Sequence, residues 1–284
     1  MIPAAFGYTR AGSVDEAVQL LARNGGSKVI AGGHSLLPLL KLRLASAETL
    51  IDIGRLGDLR GTKYLPDGSA EVGPLTTYAE IIRDTRLDWV REAVEQIGDL
   101  QVRNRGTIGG SIAHADPASD MPAIGIALQY QAVLRSGRGE RVVSLDGFFQ
   151  GPFQTAMEPD ELLVGLRRGP LPEGAAGAYR KLRQPASGYA IVGVAAVVAR
   201  DGGKVSHARV GVTGVHEHAY RAEDVESTLI GSDGSAGSID AAADKVLEGV
   251  DVLSDIHADA EYRSAMAKVY TRRAIEAAIA ASGA

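Results

Sequence analysis

The stretch IAGGHSLLPLLKLRLA, residues 30–45, sets Gly32 and Gly33 between an apolar strand-like run and an apolar helix-like run. A strand that enters a bare Gly-Gly turn and leaves into a helix presents several backbone N–H groups where no side chain blocks approach. Such a turn near a helix N-terminus suits a phosphate oxyanion, and Ser35 adds a hydroxyl. It serves equally as a plain tight turn at a strand end, so the stretch alone leaves both readings open. The device recurs in TIGGS, residues 107–111, where Thr107 and Ser111 flank Ile108, Gly109 and Gly110. No G-x-x-x-x-G-K-[ST] segment occurs and no G-x-G-x-x-G joins a strand to a helix, which excludes a P-loop and an orthodox Rossmann site. A diphosphate would have to be held by two separate loops.

Outward from these turns, the N-terminal segment reads as a small parallel α/β unit. Ser13 with Glu16 forms a capping box, AVQLLA is the helix stripe, and Asn24, Gly25 and Gly26 end it. KVIAG and TLIDI are strands on either side of the helical LLPLLKLRLA. From about Leu56 the pattern becomes mixed. AEVGPLTTYAEIIRD reads as a strand and then a helix capped by Thr77 and Glu80, and DWVREAVEQIG as an amphipathic helix. Residues 99–122 have no clear period and read as loop; PAIGIALQY is a helix, and QAVLRS, ERVVSL and DELLVGLRR are strands. The Pro- and Gly-rich RRGPLPEGAAG, residues 167–177, marks the expected boundary between residues 1–174, in lobes of about 1–55 and 56–174, and residues 175–284. Beyond it, AYRKLRQ, YAIVGVAAVVAR and KVSHARVGVTGV read as three strands ahead of three helices. The fold class is α+β.

Composition narrows the chemistry. The chain has 284 residues, 45% hydrophobic and 23% charged, and a net charge of −5, which argues against a nucleic-acid partner. It contains no cysteine, which removes disulfides, thiolate zinc sites, a cysteine nucleophile and any cysteine-held iron–sulfur cluster within this chain. The N-terminal segment lacks the pattern of a secretory signal, and no apolar run reaches the roughly 20 residues that span a bilayer. Cytoplasmic location is the expectation.

Three segments, AGGHSLLPLLKLRLA, QVRNRGTIGGSIAHADPASDMPA and YRKLRQPASGYA, together resemble the medium, flavin-carrying subunit of the molybdenum hydroxylases, of the carbon monoxide dehydrogenase type and xanthine dehydrogenase-like. The resemblance runs over essentially the whole chain. It implies a two-lobed FAD-binding fold of the vanillyl-alcohol oxidase (PCMH-like) type. A smaller C-terminal α+β domain with a three-stranded sheet and helices would follow. It implies FAD held without a covalent bond, with Ile30, Ala31, Gly32, Gly33, His34, Ser35 and Leu36 around the diphosphate. Thr107, Ile108, Gly109, Gly110 and Ser111 would join them, mainly through backbone N–H groups. The last position is often Asn in the family, and Ser111 keeps a polar side chain there. Asp120 matches an acid that bonds FAD hydroxyls, and Tyr189 a tyrosine beside the isoalloxazine. Lys181 matches a cofactor-facing basic residue and Ile97 an apolar or aromatic position near the ring. Read without the resemblance, Asp120 is also a helix N-cap ahead of Pro122, and Tyr189 a strand-packing residue. His34 resembles the covalent anchor of berberine-bridge-type oxidases, but the wider match is to the non-covalent group.

The same resemblance implies a large subunit with molybdenum–molybdopterin and a small subunit with two [2Fe–2S] clusters. The assembly would be a dimer of heterotrimers, a heterohexamer in the cytoplasm or at the inner face of the membrane. Electrons would leave FAD for an external acceptor, a quinone or another. No catalytic residue is implied in this chain, and the substrate stays open among carbon monoxide, aldehydes, purines and N-heterocycles. The alternative is a self-contained FAD-dependent oxidoreductase of the same fold, which needs its own base over the ring; no convincing set of residues supplies one. A nucleotide-binding or assembly module without turnover is a third reading. His216 with His218, Lys41 with Arg43, and His114 with Asp116 read as surface or unoriented groups; Arg103 and Arg105 read as surface, or as facing an anionic cofactor.

Overall fold

Val14, Ala17, Val18 and Leu21 recur at helical spacing, and Ser13 Oγ accepts the Glu16 N–H at 3.1 Å to start the helix. The returning Glu16 carboxylate takes the N–H of Gly12 at 2.7 Å, one residue earlier than a standard capping box. The computed structural model describes residues 1–23, 25–84, 86 and 88–282; Asn24, read above as closing this helix, lies outside them. Lobe one consists of β1 (Gly7–Arg10), α1 (Val14–Arg23), β2 (Ser27–Ile30), α2 (Leu36–Leu42) and β3 (Thr49–Asp52). Its strands are parallel in the order β1-β3-β2, and α2 crosses from β2 to β3. Its core is formed by Val18, Leu21, Ile51, Ile53 and their neighbours.

Lobe two begins with β4 (Thr62–Tyr64), β5 (Ala70–Val72), α3 (Tyr78–Ile82) and α4 (Asp88–Glu95). The capping box at Thr77 is complete, with Glu80 N–H on Thr77 Oγ1 and Thr77 N–H on the Glu80 carboxylate at 2.7 Å. The stretch expected as loop contains α5 (Leu100–Arg105) and α6 (Ile108–His114), followed by α7 (Asp120–Ala127). Side chains at their starts, not apolar periodicity, nucleate the first two: Asp99 accepts from Val102 N–H, and Thr107 from Gly110 N–H. After them come β6 (Gln131–Ser136), β7 (Gly139–Ser144), a hairpin of β8 (Phe149–Gly151) and β9 (Gln154–Thr155), and β10 (Leu162–Arg168). The antiparallel sheet runs β4-β5-β10-β6-β7.

The C-terminal part comprises β11 (Ala176–Arg183), β12 (Ala190–Asp201), β13 (Lys204–Thr213), β14 (Tyr220–Arg221), α8 (Glu223–Leu229), α9 (Ala236–Ala243) and α10 (Ala260–Ser282). The three strands expected here gain a fourth, β14, on the edge of β13; its two residues are too few to show a period. β12 is buried on both faces, and its alternation divides the core. Ala195 and Val197 point into the core around α7, whereas Val194, Ala196 and Val198 point to α10. All eight residues of α7 are buried, as expected of a helix sandwiched between lobe two and the C-terminal sheet. The contact is closest at Gly211 of β13, where a Cβ would lie 2.1 Å from the Ala123 carbonyl oxygen. Gly211→Ala is therefore expected to lower stability by about 1–3 kcal/mol through overpacking, read as a lower denaturant midpoint with both sheets affected together.

Candidate functional site

The two glycine motifs meet. A Cβ on Gly32 would lie 2.1 Å from the carbonyl oxygen of Arg105, so the first turn packs backbone against backbone on the residues leading into Thr107. Ala31, Gly32, Arg60, Thr77, Arg105 and Thr107 border a cavity of about 40 Å³ there. Gly33 takes φ +76°, which bends the chain from β2, ending at Ile30, into α2. Among the described residues, the N–H groups of Gly32, Gly33, His34, Ser35 and Leu36 have no acceptor. The Ser35 side chain makes no cap bond, and exposed His34 has only Nδ1 within 3.2 Å of the Gly32 carbonyl oxygen. Unpaired donors gathered at one turn can receive an anion.

The second motif is engaged differently. Ile108 N–H donates to the Thr76 carbonyl at 3.0 Å and Gly109 N–H to that of Pro74 at 2.9 Å. Gly110 and Ser111 donate to Thr107 Oγ1 and O at 3.1 Å each, and Ser111 Oγ lies 2.5 Å from Ser119 Oγ. Gly109 is required because a Cβ would stand 2.2 Å from Pro74 Cβ. Of the second motif's backbone donors only the Thr107 N–H has no acceptor among the described residues, so the free donors lie mainly in the first motif. Gly109 lets α6 pack onto the backbone of Pro74, while the first turn rests on Arg105 and Gly106 just ahead of that helix.

The remaining site residues gather beside these motifs. Asp120 is the first residue of α7, but its carboxylate does not cap the helix. It accepts from the Tyr179 hydroxyl and, at 2.8 Å, from Lys181 Nζ, with Asp120 and the Lys181 side chain both buried. Tyr179 was not singled out in the sequence, yet it stands two residues before Lys181 on one face of β11, a signal that alternation carries. Burial raises the Asp120 carboxyl, while Lys181 and Tyr179 pull it down. Tyr189 closes the turn after β11 at its base, where its carbonyl accepts the Gln184 N–H at 2.9 Å, and its side chain is partly exposed. Burial raises the Tyr189 phenol, Asp116 and Asp120 add to the rise, and the Ser35 hydroxyl opposes it. A Cβ on Gly188 would lie 3.8 Å from Gly98 N, so half-buried Ile97 borders the same turn. Arg103 is half-buried, and its Nη1 donates to the carbonyls of Glu95, Ile97 and Gly98 at 3.0–3.2 Å, tying down the chain around Ile97.

Of the groups discounted above, Asp116 and Arg105 do border the site, the first beside the Tyr189 phenol and the second at the cavity by Gly32. His216 and His218 meet edge to face at 4.7 Å, with their Nδ1 atoms on the Asp251 and Ala219 carbonyl oxygens. No group of three or more His, Cys, Asp or Glu among the described residues is arranged to hold a metal. No helix among them is long and apolar enough to cross a membrane. Lys41 and Arg43 are exposed.

Comparison with known proteins fits this geometry. The profile "FAD binding domain in molybdopterin dehydrogenase" matches residues 4–167, and "CO dehydrogenase flavoprotein C-terminal domain" matches residues 177–278. The carbon monoxide dehydrogenase medium chain of Hydrogenophaga pseudoflava is 42% identical over 284 residues, covering 98% of each chain. The glyceraldehyde dehydrogenase medium chain of Sulfolobus acidocaldarius is 36% identical, over 97% of this chain and 99% of its own. The solved carbon monoxide dehydrogenase from Hydrogenophaga pseudoflava that lacks the Mo-pyranopterin moiety of its cofactor superposes with a TM-score of 0.95, at 41% identity and 99% coverage of both chains.

Near the loop that ends in Asp120, burial depresses His114, with Asp116 opposing, and a depressed folded pKa means that the native state binds fewer protons than the unfolded one. The stability held by neutral His114 should thus be complete above the unfolded value of 6.5 and drain away as pH falls below it. Denaturant titrations from pH 7 downward should show this slope, and His114→Gln should lessen it; His207, also depressed by burial, keeps part of it.

Proposed function

The chain belongs to the family of FAD-binding domains of molybdopterin dehydrogenases, and on that premise we propose that it is the FAD-carrying electron-transfer subunit of a heterotrimeric molybdenum hydroxylase. The observation that carries this reading is the set of five unpaired amides at residues 32–36, backed by a backbone contact that a Cβ would fill. That cradle fits the two negative charges of a dinucleotide diphosphate. Bound FAD would supply the exchange between one-electron clusters and a two-electron acceptor. The chain's own residues hold and orient it. Ile30 to Leu36 cradle the diphosphate with support from Thr107 to Ser111. Asp120, fixed by Lys181 and Tyr179, meets the cofactor hydroxyls, and Ile97 and Tyr189 border the ring and limit water there.

The reading extends to the assembly. A cysteine-free chain leaves the iron–sulfur clusters to a partner. The relatives' designation as medium chains supports a large molybdenum subunit and a small iron–sulfur subunit, here taken as a dimer of heterotrimers. We assign substrate choice to the large subunit, since relatives of comparable identity are named for carbon monoxide and for glyceraldehyde. The acceptor is a quinone or another external oxidant, with the complex in the cytoplasm or at the inner face of the membrane. The division of the chain at residues 174 and 175 belongs to the same proposal.

The complex recovered from native cells under mild conditions should show flavin absorption over broad iron–sulfur bands. Flavin bands with no partner would favour a self-contained enzyme, and a colourless chain would sink the reading. Ser35→Asp places a carboxylate over the free amides without touching the Gly32–Arg105 contact. It should weaken FAD binding by roughly a hundredfold or more, as like charges brought together cost several kcal/mol. Ser35→Ala should retain FAD, and equal affinity in the two variants would remove the diphosphate from this turn.

A further inference from the structure

The first turn of α10 carries Arg263, whose side chain is 4% exposed. It donates to the carbonyl oxygens of Ile191 at 2.7 Å and Gly214 at 2.5 Å, and to Asp255 Oδ2 at 2.6 Å. Its Nε is buried with no acceptor among the described residues. Burying a guanidinium there costs desolvation that a single half-exposed carboxylate offsets only in part, and an apolar side chain of similar volume would pack α10 on the sheet as well. An apolar side chain would not, however, tie together two carbonyls from the ends of different strands.

Those two carbonyls lie directly behind the candidate site. Ile191 stands two residues after Tyr189, and Ala190 between them donates its N–H to the Ala118 carbonyl at 3.1 Å. Gly214 N–H donates to the Pro117 carbonyl at 2.8 Å, and Thr213 Oγ1 to the carbonyls of Pro117 and Ser119 at 2.8 Å each. Ser119 reaches the second glycine motif through Ser111. Gly214 has φ +81°, and a Cβ on it would lie 2.7 Å from the carbonyl oxygens of both Ala190 and Ile191. Arg263 grips these peptides from the side of α10, and the loop from Asp116 to Asp120 rests on them from the other. In so close a stack, a shift of one peptide displaces the next.

We propose that Arg263 is a positioning residue for the flavin: without touching it, the guanidinium sets the placement of the Tyr189 turn and of the loop that ends in Asp120. The inference rests on the flavin reading given above. The test uses the complex purified from the native host carrying Arg263→Met, measured for FAD content, the visible circular dichroism of the flavin, its midpoint potential and the rate of electron exit to a dye. Ile275→Val, which trims a fully buried residue of the same helix without removing a polar bond, serves as the control for loosened packing. Arg263→Met should keep FAD but alter its dichroism and potential and slow electron exit by roughly ten- to a hundredfold, the cost of slight misplacement. Arg263→Lys, a point charge without the planar fork, should fall between; Ile275→Val should change the melting temperature alone. If Arg263→Met lowers the melting temperature and leaves dichroism, potential and exit rate as in the wild type, the positioning role is wrong. Should Arg263→Met fail to assemble, Arg263→Lys carries the same comparison with the same two outcomes. A wild-type complex without FAD overturns the flavin reading itself, and this inference with it, before any variant is compared.

Discussion

The absence of a side chain at residue 32 is the constraint on which the site depends. The Arg105 carbonyl occupies the space that a Cβ would need, so lobe one and lobe two meet through peptide groups. Backbone contact of this kind leaves no rotamer to adjust. It sets the distance between the two lobes and points the free amides of residues 32–36 outward from a turn that cannot collapse on itself. Gly109 plays a comparable part within lobe two, bringing α6 onto the backbone of Pro74. The two glycine pairs look alike in sequence and divide the work: one exposes donors, and the other spends its donors on the scaffold.

The rest of the site is built on buried charge. Asp120 and Lys181 come from α7 and β11, and their contact links lobe two to the C-terminal sheet. Removing one partner of such a pair leaves the other uncompensated, at a cost of about 3–5 kcal/mol. Tyr179 supplies a further bond to the carboxylate, so its position is over-determined. The surroundings push Asp116, Asp120, Tyr78, Tyr179 and Tyr189 upward through burial. Electrostatic interactions reach further in such a place than in water. A redox-active ring beside it would be tuned by fixed dipoles more than by solvent.

Local signals were legible wherever a short-range rule sufficed. The helix stripes of α1 and α4, the complete capping box at Thr77, and the Asp201-Gly202-Gly203 hairpin between β12 and β13 all follow from spacing and turn chemistry. The stretch from residue 99 to 122 reads as loop in the sequence because α5 and α6 have six and seven residues, too short for an apolar period to appear. β14 escaped for the same reason. Arg103 read as a surface or cofactor-facing cation because composition says nothing of three carbonyls converging on one guanidinium.

By itself the sequence determined the chain's class, its two glycine pairs, the lack of any thiolate chemistry and the resemblance to a flavin-carrying subunit, because these are properties of residue identity and near spacing. Only the first pair forms a turn, whereas the second lies inside α6. Tertiary structure alone decided which amides stay free, which carboxylate meets which ammonium, and which arginine stands behind the Tyr189 turn. The physical reason is that a hydrogen bond is fixed by atoms a few ångströms apart, and residues 120 and 181, or 214 and 263, become neighbours only when separate elements pack.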